Sequence, residues 1–318
     1  MKNFNIPFLI AGPTASGKTD IALALAELCQ GEIISADSRQ IYKIINKGTA
    51  TPEGVWDNGI YKVGTVPYHL VDFLDLNSGF DVSRFCQKAK QIIAAGQEKQ
   101  FIFAGGTGMY MQGYFCGMDN LPPADSLIRA ELAAVAEEHG RPYLHSILKE
   151  VDPESAAAIP AGNIHRVIRA LELYRLTGKP ASVLRTGKFA PHFAQNKVFA
   201  VYLHWETPAL NERIKQRTEQ IFGPMVEETR LALSLGYDKD CAGLKSLGYR
   251  EALSFIEGTI TKEQATERIC ILTRQYAKRQ RTWFRRYDDM KILEPAKFKT
   301  PRQAAEQILL WKEQSQSM

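Results

Sequence analysis

The chain has 318 residues, of which 45% are hydrophobic and 24% charged, and it carries a formal net charge of +5. This composition is typical of a globular protein with one large domain or two, and the charge favours polyanionic partners only slightly. No C-x-x-C pair occurs, so the sequence indicates neither a zinc site nor a disulfide framework. No apolar run approaches the thickness of a bilayer, so no membrane partner is indicated, and a cytoplasmic location is expected.

The first informative stretch is GPTASGKT at residues 12–19, which fits the phosphate-loop pattern G-x-x-x-x-G-K-[ST]. Its glycines allow successive backbone N–H groups to point into one concavity. A short buried strand is predicted before it at 8–11 and a helix after it at 19–28, and a helix N-terminus favours anions. The residues predicted to hold phosphate groups are Gly12, Pro13, Thr14, Ala15, Ser16, Gly17, Lys18 and Thr19, with the Thr19 hydroxyl as a ligand of Mg²⁺.

Strands alternate with helices through the first hundred residues. Buried strands are predicted at 32–35 and 101–104, a short strand at 69–72, and a helix at 82–95, where apolar residues recur at helical spacing. Turn-forming residues indicate a loop over 48–64. The alternation predicts an α/β fold with a doubly wound parallel sheet.

A helical insertion interrupts this pattern. No strand signal occurs between residues 121 and 186, and helices are predicted there at 126–139, 142–149 and 164–177. We therefore predict a core formed by residues 1–118 and 196–318, with a helical insertion domain at 119–195.

Acidic residues near the phosphate loop are the first candidates for chemistry. A phosphate loop that hydrolyses ATP usually works with an acidic residue at the end of a hydrophobic strand, but the strand at 101–104 ends in glycines. Asp37 and Asp72 remain as candidates, and Asp37 follows the strand at 32–35, where ligands gather in parallel sheets. Its carboxylate is either a cap for a turn or a general base beside bound phosphates.

Three further groups have open interpretations. Thr107, within GGTG, either sits in a tight turn or hydrogen-bonds a ligand. Arg213 and Arg217 lie one turn apart on a predicted helix, and they form either a solvated face or a pair of cations over a diphosphate. His69 is expected to be structural.

Basic residues concentrate near the C-terminus, after the sheet resumes at 197–204. In a helix over 273–287, one stripe contains Arg274, Lys278, Arg281 and Arg285, and a separate apolar stripe contains Ile269, Leu272, Tyr276, Trp283 and Tyr287. The basic stripe is either a solvated face or a contact surface for a phosphate backbone, and the scarcity of acidic neighbours favours nucleic acid. An edge strand at 292–293 and a helix at 304–312 follow.

Eight motifs occur in order along nearly the whole chain: GPTASGKT at 12, DSRQIY at 37, GTATP at 48, YHLVD at 68, GGTGMY at 105, HRVIRALELY at 165, GYRE at 248 and RQYAKRQRTWFRR at 274. Together they resemble the motifs of the tRNA dimethylallyltransferases, also called isopentenyltransferases. The resemblance implies a nucleotide-kinase-like core with a helical insertion that helps to clasp tRNA. It also implies transfer of a dimethylallyl group from its diphosphate to N6 of the adenine 3′ of the anticodon, in tRNAs that read codons starting with U. A Mg²⁺ cofactor and a monomer are expected.

The resemblance also assigns roles. The phosphate loop would hold a diphosphate leaving group, with support from Arg213 or Arg217. Asp37 would accept a proton from the attacking amine, and Thr107 would hydrogen-bond in the same site. The target adenine would leave its stack to reach them. The residues that the resemblance places against the tRNA anticodon stem-loop are Asp37, Ser38, Arg39, Gln40, Thr107, Arg129, His165, Arg166, Arg169, Gly248, Tyr249, Arg250, Lys278, Arg279, Gln280, Arg281, Trp283 and Arg285.

The chain departs from the family pattern at three places. Tyr68 stands where the first His of a His-His pair is usual, His165 replaces a common Arg or Gln, and residues 221–237 lack the usual M-x-x-x-G-L pattern. Two alternatives stay open. A small-molecule kinase explains the phosphate loop and an insertion that acts as a lid, but not the basic stripe, and a non-enzymatic nucleic-acid binder explains the stripe alone.

Overall fold

A computed structural model of the chain describes residues 6–96, 98–187, 192–193 and 197–316. The chain divides into two units, one formed by Met1–Cys116 and Ala190–Met318 and the other by Gly117–Phe189. The predicted insertion began two residues later, at 119, and its predicted end falls on residues outside those described.

The larger unit is organised around a sheet of eight strands. They are β1 Phe8–Ala11, β2 Glu32–Ser35, β3 Val55–Asp57, β4 Ile60–Val63, β5 Val66–His69, β6 Phe101–Gly105, β7 Phe199–Leu203 and β8 Lys291–Leu293. Their order is β3-β4-β5-β2-β6-β1-β7-β8, and every adjacent pair from β5 to β8 is parallel. β1 and β6 are buried along their whole length, as expected for central parallel strands. The predicted parallel α/β sheet is therefore confirmed.

The region predicted as a loop at 48–64 contains two strands. β3 and β4 form an antiparallel hairpin, and Asn58 and Gly59 between them have φ of 49° and 78°. Asn-Gly in a two-residue turn is a strong hairpin signal, because both positions need positive φ. The strand predicted at 69–72 was wrong: β5 ends at His69, and Leu70 and Asp72 adopt φ of 58° and 49°, which an extended strand excludes.

The helices cover the sheet and build the smaller unit. In chain order they are α1 Lys18–Cys29, α2 Val82–Ala95, α3 Gly108–Met111 with a π-helical turn at Gln112–Cys116, α4 Ser126–His139, α5 Arg141–Val151, α6 Pro153–Ala158, α7 Ile164–Thr177, α8 Ala181–Leu184, α9 Thr207–Ser234, α10 Tyr249–Ile256, α11 Lys262–Phe284 and α12 Pro301–Gln316. A 3₁₀ turn lies at Pro295–Lys297. Within the described part of the chain, no helix combines the length and apolarity needed to cross a bilayer.

Hydrophobic clusters among the described residues position the functional side chains of the larger unit, and two of them are large. The first packs α1 and α12 against the sheet through residues such as Ile21, Leu25 and Ile308. The second joins α9, α10 and α11 through Met225, Tyr249 and other buried side chains. The long helix α9 runs through Pro224 without ending, so Arg213 and Arg217 on its first half and Met225 on its second half belong to one rigid element.

The smaller unit, α4 to α8, has its own core of leucine, isoleucine and alanine side chains. At its centre Glu172 of α7 is fully buried and accepts hydrogen bonds from Arg129 Nε at 2.9 Å and Arg169 Nη1 at 2.6 Å. The same carboxylate accepts the Asp125 N–H at 2.6 Å, so every charge in this cluster has a partner. Burial is the largest single effect on Glu172 and raises its pKa, but the hydrogen bonds together outweigh it and the pKa is lowered.

Candidate active site

The phosphate loop forms a cradle at the N-terminus of α1. Gly17, the N-cap residue, has φ of 84°, a conformation that glycine adopts without strain. A Cβ on Gly12 would lie 3.1 Å from the Cβ and 3.2 Å from the carbonyl oxygen of Leu203, so the loop fits tightly against β7. The ammonium of Lys18 donates a 2.6 Å hydrogen bond to the Pro13 carbonyl, which holds this charge over the loop.

A cavity of about 580 Å³ opens on this loop, and we call it the main cavity. Its wall contains three cations, Lys18, Arg213 and Arg217, and the carboxylate of Asp37. Burial lowers the pKa of Lys18 from 10.5 to about 8; Asp37 opposes this and Arg217 adds to it. Burial also lowers the pKa of Arg217, again against the attraction of Asp37. A site with crowded, partly desolvated cations is suited to an anion with several negative charges.

Arg213 is built into the phosphate loop itself. Its Nε donates to the Ala15 carbonyl at 2.7 Å, and its guanidinium lies 4.5 Å from the centroid of the Trp205 ring. Trp205 in turn donates its indole N–H to the Ser16 carbonyl at 3.0 Å. Trp205 was not predicted as a site residue, although it lies just after β7, at the carboxyl end of a parallel strand, where ligands gather.

Asp37 lies at the end of β2 and lines the main cavity. Its Oδ1 also accepts the Arg39 backbone N–H at 2.9 Å, so the side chain forms a turn cap and faces the cavity at once. Thr107 fixes this segment: its Oγ1 accepts the Ser38 N–H and its own N–H donates to the Ala36 carbonyl, both at 3.0 Å. The turn-cap interpretation of Asp37 is therefore confirmed, and its position in the cavity wall is compatible with the general-base interpretation, which stays a prediction.

Gln280 connects the phosphate loop to the glycine-rich loop after β6. It is buried, its Oε1 accepts the Thr14 N–H at 2.8 Å, and its Nε2 donates to the Gly106 carbonyl at 3.0 Å. A Cβ on Gly106 would lie 2.1 Å from that Nε2, so only glycine allows this approach. The amide therefore fixes the geometry of two loops that line the site.

The main cavity also contains oxygen groups of the kind that Mg²⁺ prefers. The Thr19 hydroxyl, which hydrogen-bonds the buried Tyr68, lines it together with the carboxylates of Asp20 and Asp37. Hydroxyl, carboxylate and phosphate oxygens are ligands suited to this ion. The residues present therefore fit the Mg²⁺ that the sequence predicted at Thr19.

A second, smaller cavity of about 70 Å³ adjoins the main one, and we call it the apolar pocket. Thr14, Ala15, Asp37 and Arg217 line both cavities, so these residues mark where the two meet. The residues that line only the apolar pocket include Ile214, Ile221, Met225, Leu247 and Ile269. An anion site and a hydrophobic pocket thus lie side by side in the larger unit.

The IPP transferase family model matches residues 40–287, which is more than half of the chain. The chain belongs to the IPP transferase family. A tRNA dimethylallyltransferase of Elusimicrobium minutum is 56% identical over 284 residues, covering 89% of this chain and 92% of the relative. A tRNA dimethylallyltransferase of Myxococcus xanthus is 41% identical over 292 residues, covering 90% and 92%.

Solved structures of similar proteins have the same fold. The tRNA isopentenylpyrophosphate transferase of Bacillus halodurans aligns with a TM-score of 0.66 at 30% identity, covering 97% of this chain and 96% of that one. A eukaryotic dimethylallyltransferase described as acting on tRNA aligns with a TM-score of 0.68 at 22% identity, covering 91% and 74%. At that identity the second likeness concerns the fold alone.

Several residues that the family resemblance places against tRNA are engaged inside the larger unit instead. Tyr249 is 1% exposed and donates its hydroxyl to Glu228 at 2.7 Å. Gly248 precedes it with φ of 97°, tight against Met225. Gln40 is buried and its Nε2 donates to the Ala50 carbonyl at 2.8 Å. With the buried Gln280, these residues shape the site from within, whereas Arg39 and Arg250 are exposed.

The basic stripe lies on the outer face of α11. Arg274, Lys278, Arg279 and Arg285 are exposed, whereas Arg281 is half-buried and donates to the Thr207 hydroxyl at 2.6 Å. The predicted apolar stripe was right in part: Ile269 and Tyr287 are buried, whereas Leu272, Tyr276 and Trp283 are half-buried. The other buried positions of α11 are Ala265, Cys270, Thr273, Ala277, Gln280 and Phe284. Trp283 is half-buried, packs against Gly108 and lies under the Arg286 guanidinium, 3.9 Å from its ring centroid.

In the smaller unit, two of the residues predicted to contact tRNA are exposed and two are held in hydrogen bonds. His165 and Arg166, in the first turn of α7, are exposed, so both are accessible to a partner. Arg129 and Arg169 instead hydrogen-bond the buried Glu172, and Arg169 also donates to the Pro122 carbonyl at 2.6 Å. Arg169 and Arg166 add to the effect of burial in lowering the pKa of Arg185, which indicates a local concentration of positive charge.

Proposed function

We propose that this member of the IPP transferase family transfers a dimethylallyl group from dimethylallyl diphosphate to N6 of the adenine 3′ of the anticodon in tRNA. The observation that carries the proposal is that one cavity is lined by the phosphate loop, its three cations and the carboxylate of Asp37. The tRNA dimethylallyltransferases that align over about nine tenths of the chain support it.

The diphosphate is the leaving group in this reaction. Backbone N–H groups of the phosphate loop, Lys18 and the two arginines of α9 stabilise the negative charge that develops as the allylic C–O bond breaks. Arg213 acts from a fixed position, because Ala15 and Trp205 hold its guanidinium. Thr19 is the residue that would hold Mg²⁺, which supplies a Lewis acid for the diphosphate oxygens.

Asp37 is the general base. The N6 lone pair of the extruded adenine attacks the allylic carbon, the bonding electrons of the C–O bond leave with the diphosphate, and Asp37 takes the proton from N6. Thr107 keeps the Asp37 segment in register through the Ser38 N–H. The apolar pocket, which meets the main cavity at Asp37 and Arg217, takes the five-carbon group and shields it from water.

The tRNA binds through its phosphate backbone. The exposed stripe of Arg274, Lys278 and Arg285 on α11 and the exposed His165 and Arg166 of α7 supply contacts for the anticodon stem-loop. Recognition by charge and shape suits a folded RNA stem. We further propose that the enzyme is a cytoplasmic monomer and that it acts on tRNAs that read codons starting with U.

The test is mass analysis of tRNA nucleosides after incubation of unmodified tRNA with dimethylallyl diphosphate and Mg²⁺. We expect a dimethylallyl adduct on adenosine, formed at least about 10²-fold more slowly by Asp37→Ala, with tRNA affinity largely kept. Asp238→Ala is a matched control, because the Asp238 carboxylate also caps a turn, accepting the Asp240 N–H at 2.7 Å, and is exposed outside the cavity. Absence of the adduct with the unmutated protein would overturn the proposal, and equal turnover by Asp37→Ala would remove Asp37 from the mechanism.

A further inference from the structure

Met225 of α9 forms part of the wall of the apolar pocket. Thr14, Ala15, Asp37, Thr49 and Arg217 line both cavities, whereas Met225 lines the apolar pocket only. A chain that enters the apolar pocket from the diphosphate site therefore passes into the space that Met225 bounds. The Met225 side chain is 1% exposed.

Two glycines hold the Met225 thioether in place. A Cβ on Gly48 would lie 3.1 Å from Met225 Cε, and a Cβ on Gly248 would lie 2.8 Å from both Cε and Sδ. Because these glycines come from separate segments, the thioether is confined from two directions. A flexible methionine side chain normally adapts to a larger ligand, but the end of this one is flanked by two backbone segments and can move only into the pocket itself.

The Gly48 segment beside Met225 is itself anchored to α9. Glu228, one turn further along α9, is 9% exposed and accepts the backbone N–H groups of Lys47 at 2.5 Å and Gly48 at 3.0 Å. Tyr249 donates its hydroxyl to the same carboxylate at 2.7 Å. Moving the loop would remove two of the three donors from this buried carboxylate, so the loop resists displacement. The Gly48 segment therefore cannot retreat to enlarge the pocket.

We propose that Met225 determines donor chain length: it closes the apolar pocket after five carbons and rejects longer prenyl diphosphates. The inference rests on the proposed transfer of a dimethylallyl group. In a close-packed pocket one methylene beyond the available space changes kcat/KM by about 10- to 200-fold. A geranyl chain has five more carbons than a dimethylallyl chain, so it is excluded unless the pocket expands.

The test is a competition in one tube. Unmodified tRNA, dimethylallyl diphosphate and geranyl diphosphate at equal concentrations are incubated with each protein, and the five-carbon and ten-carbon adenosine products are counted by mass. The product ratio is independent of the fraction of active protein. We expect Met225→Ala to raise the ten-carbon to five-carbon ratio at least about 10-fold.

Two variants are matched controls. Met225→Leu conserves volume and should keep the ratio of the unmutated protein. Leu231→Ala removes an exposed side chain of the same helix, 48% accessible, and should also leave it unchanged. If Met225→Ala fails to fold, Met225→Val shortens the side chain with less loss of volume and should change the ratio in the same direction.

The results distinguish failure of the proposed function from failure of the role assigned to Met225. If the unmutated protein makes no five-carbon product, the proposed function fails and this inference fails with it. If five-carbon product forms but neither Met225→Ala nor Met225→Val changes the ratio, Met225 does not set chain length, while the proposed function stands. A ten-carbon product as abundant as the five-carbon product from the unmutated protein would also overturn the inference.

Discussion

The lowered pKa of Lys18 predicts that diphosphate affinity falls in mildly alkaline solution. Burial brings the pKa of this ammonium in the free protein from 10.5 to about 8. A bound diphosphate favours the charged form, so the pKa in the complex is higher than in the free protein. Below pH 8 Lys18 is already protonated in the free protein, so the affinity for diphosphate does not change with pH. Above pH 8 Lys18 must gain a proton when diphosphate binds, so the affinity declines.

The magnitude follows from this single ionisation. With a free-state pKa of about 8, the dissociation constant for diphosphate increases about 10-fold between pH 7 and pH 9, equivalent to about 1.4 kcal/mol. Isothermal titration of inorganic pyrophosphate into the protein, repeated across this range at fixed free Mg²⁺, measures it. Without ligand, the same shift makes the free energy of unfolding increase from pH 8 to 10.5, because the unfolded chain binds the additional proton there. Affinity and stability therefore change in opposite directions.

Lys18→Arg is the matched control, since a guanidinium stays charged throughout this range. Pyrophosphate has its own ionisations, but they affect both proteins equally, so the ratio of the two dissociation constants isolates Lys18. We expect this ratio to change about 10-fold between pH 7 and 9. A ratio that stays constant up to pH 9.5 would show that Lys18 keeps an ordinary pKa and would refute the reasoning from burial.

Three further measurements test other parts of the structure. Gln280→Leu removes the partners of the Thr14 N–H and the Gly106 carbonyl, and should weaken pyrophosphate binding about 30-fold, because two hydrogen bonds of about 1 kcal/mol each are lost. Its tRNA affinity, measured by filter binding, should change less than twofold. Glu172→Leu leaves Arg129 and Arg169 without their carboxylate and should lower the free energy of unfolding by about 3–5 kcal/mol in a denaturant titration. As a control, Glu131→Leu breaks the exposed ion pair with Arg175 and should lower the free energy of unfolding by less than about 1 kcal/mol. Similar losses for Glu172→Leu and Glu131→Leu would contradict the assignment of a buried ionic cluster. Lys278→Gln should weaken tRNA binding and reduce the slope of log affinity against log salt by about 1, and an unchanged slope would exclude a phosphate contact at this residue.

The regular elements were predictable wherever the sequence has a clear period. The helices at 82–95, 126–139 and 164–177 have the bounds that the spacing of their apolar residues indicates. The hairpin β3–β4 was missed because turn-forming residues outweighed two short strands, although Asn58-Gly59 carries the signal for it. Local patterns thus identified these helices and the buried strands β1 and β2, but missed the hairpin strands β3 and β4, which are not continuous buried runs.

The candidate site was predictable where topology alone assembles it. The phosphate loop follows β1, Asp37 follows β2 and Thr107 follows β6, and parallel strands bring these carboxyl ends together. Gln280 and Tyr249 could not be assigned in this way. Gln280 lies in a motif rich in basic residues and Tyr249 lies beside Arg250, yet both form hydrogen bonds to segments more than 170 residues away in the chain. Periodicity within one helix carries no information about such contacts.

The burial of Gln280 bears on the choice between a tRNA-modifying enzyme and a small-molecule kinase. One face of α11 presents Arg274, Lys278 and Arg279 to solvent, and the opposite face braces the phosphate loop through Gln280. A polyanion bound to the outer face is therefore held by the same rigid helix that shapes the diphosphate site. This arrangement fixes a large nucleic acid at a defined distance from the leaving group, a requirement that a kinase acting on a diffusible metabolite does not have. The two faces of α11 are explained together only if donor and acceptor must be positioned relative to each other, as in transfer of a prenyl group to a base within a folded RNA.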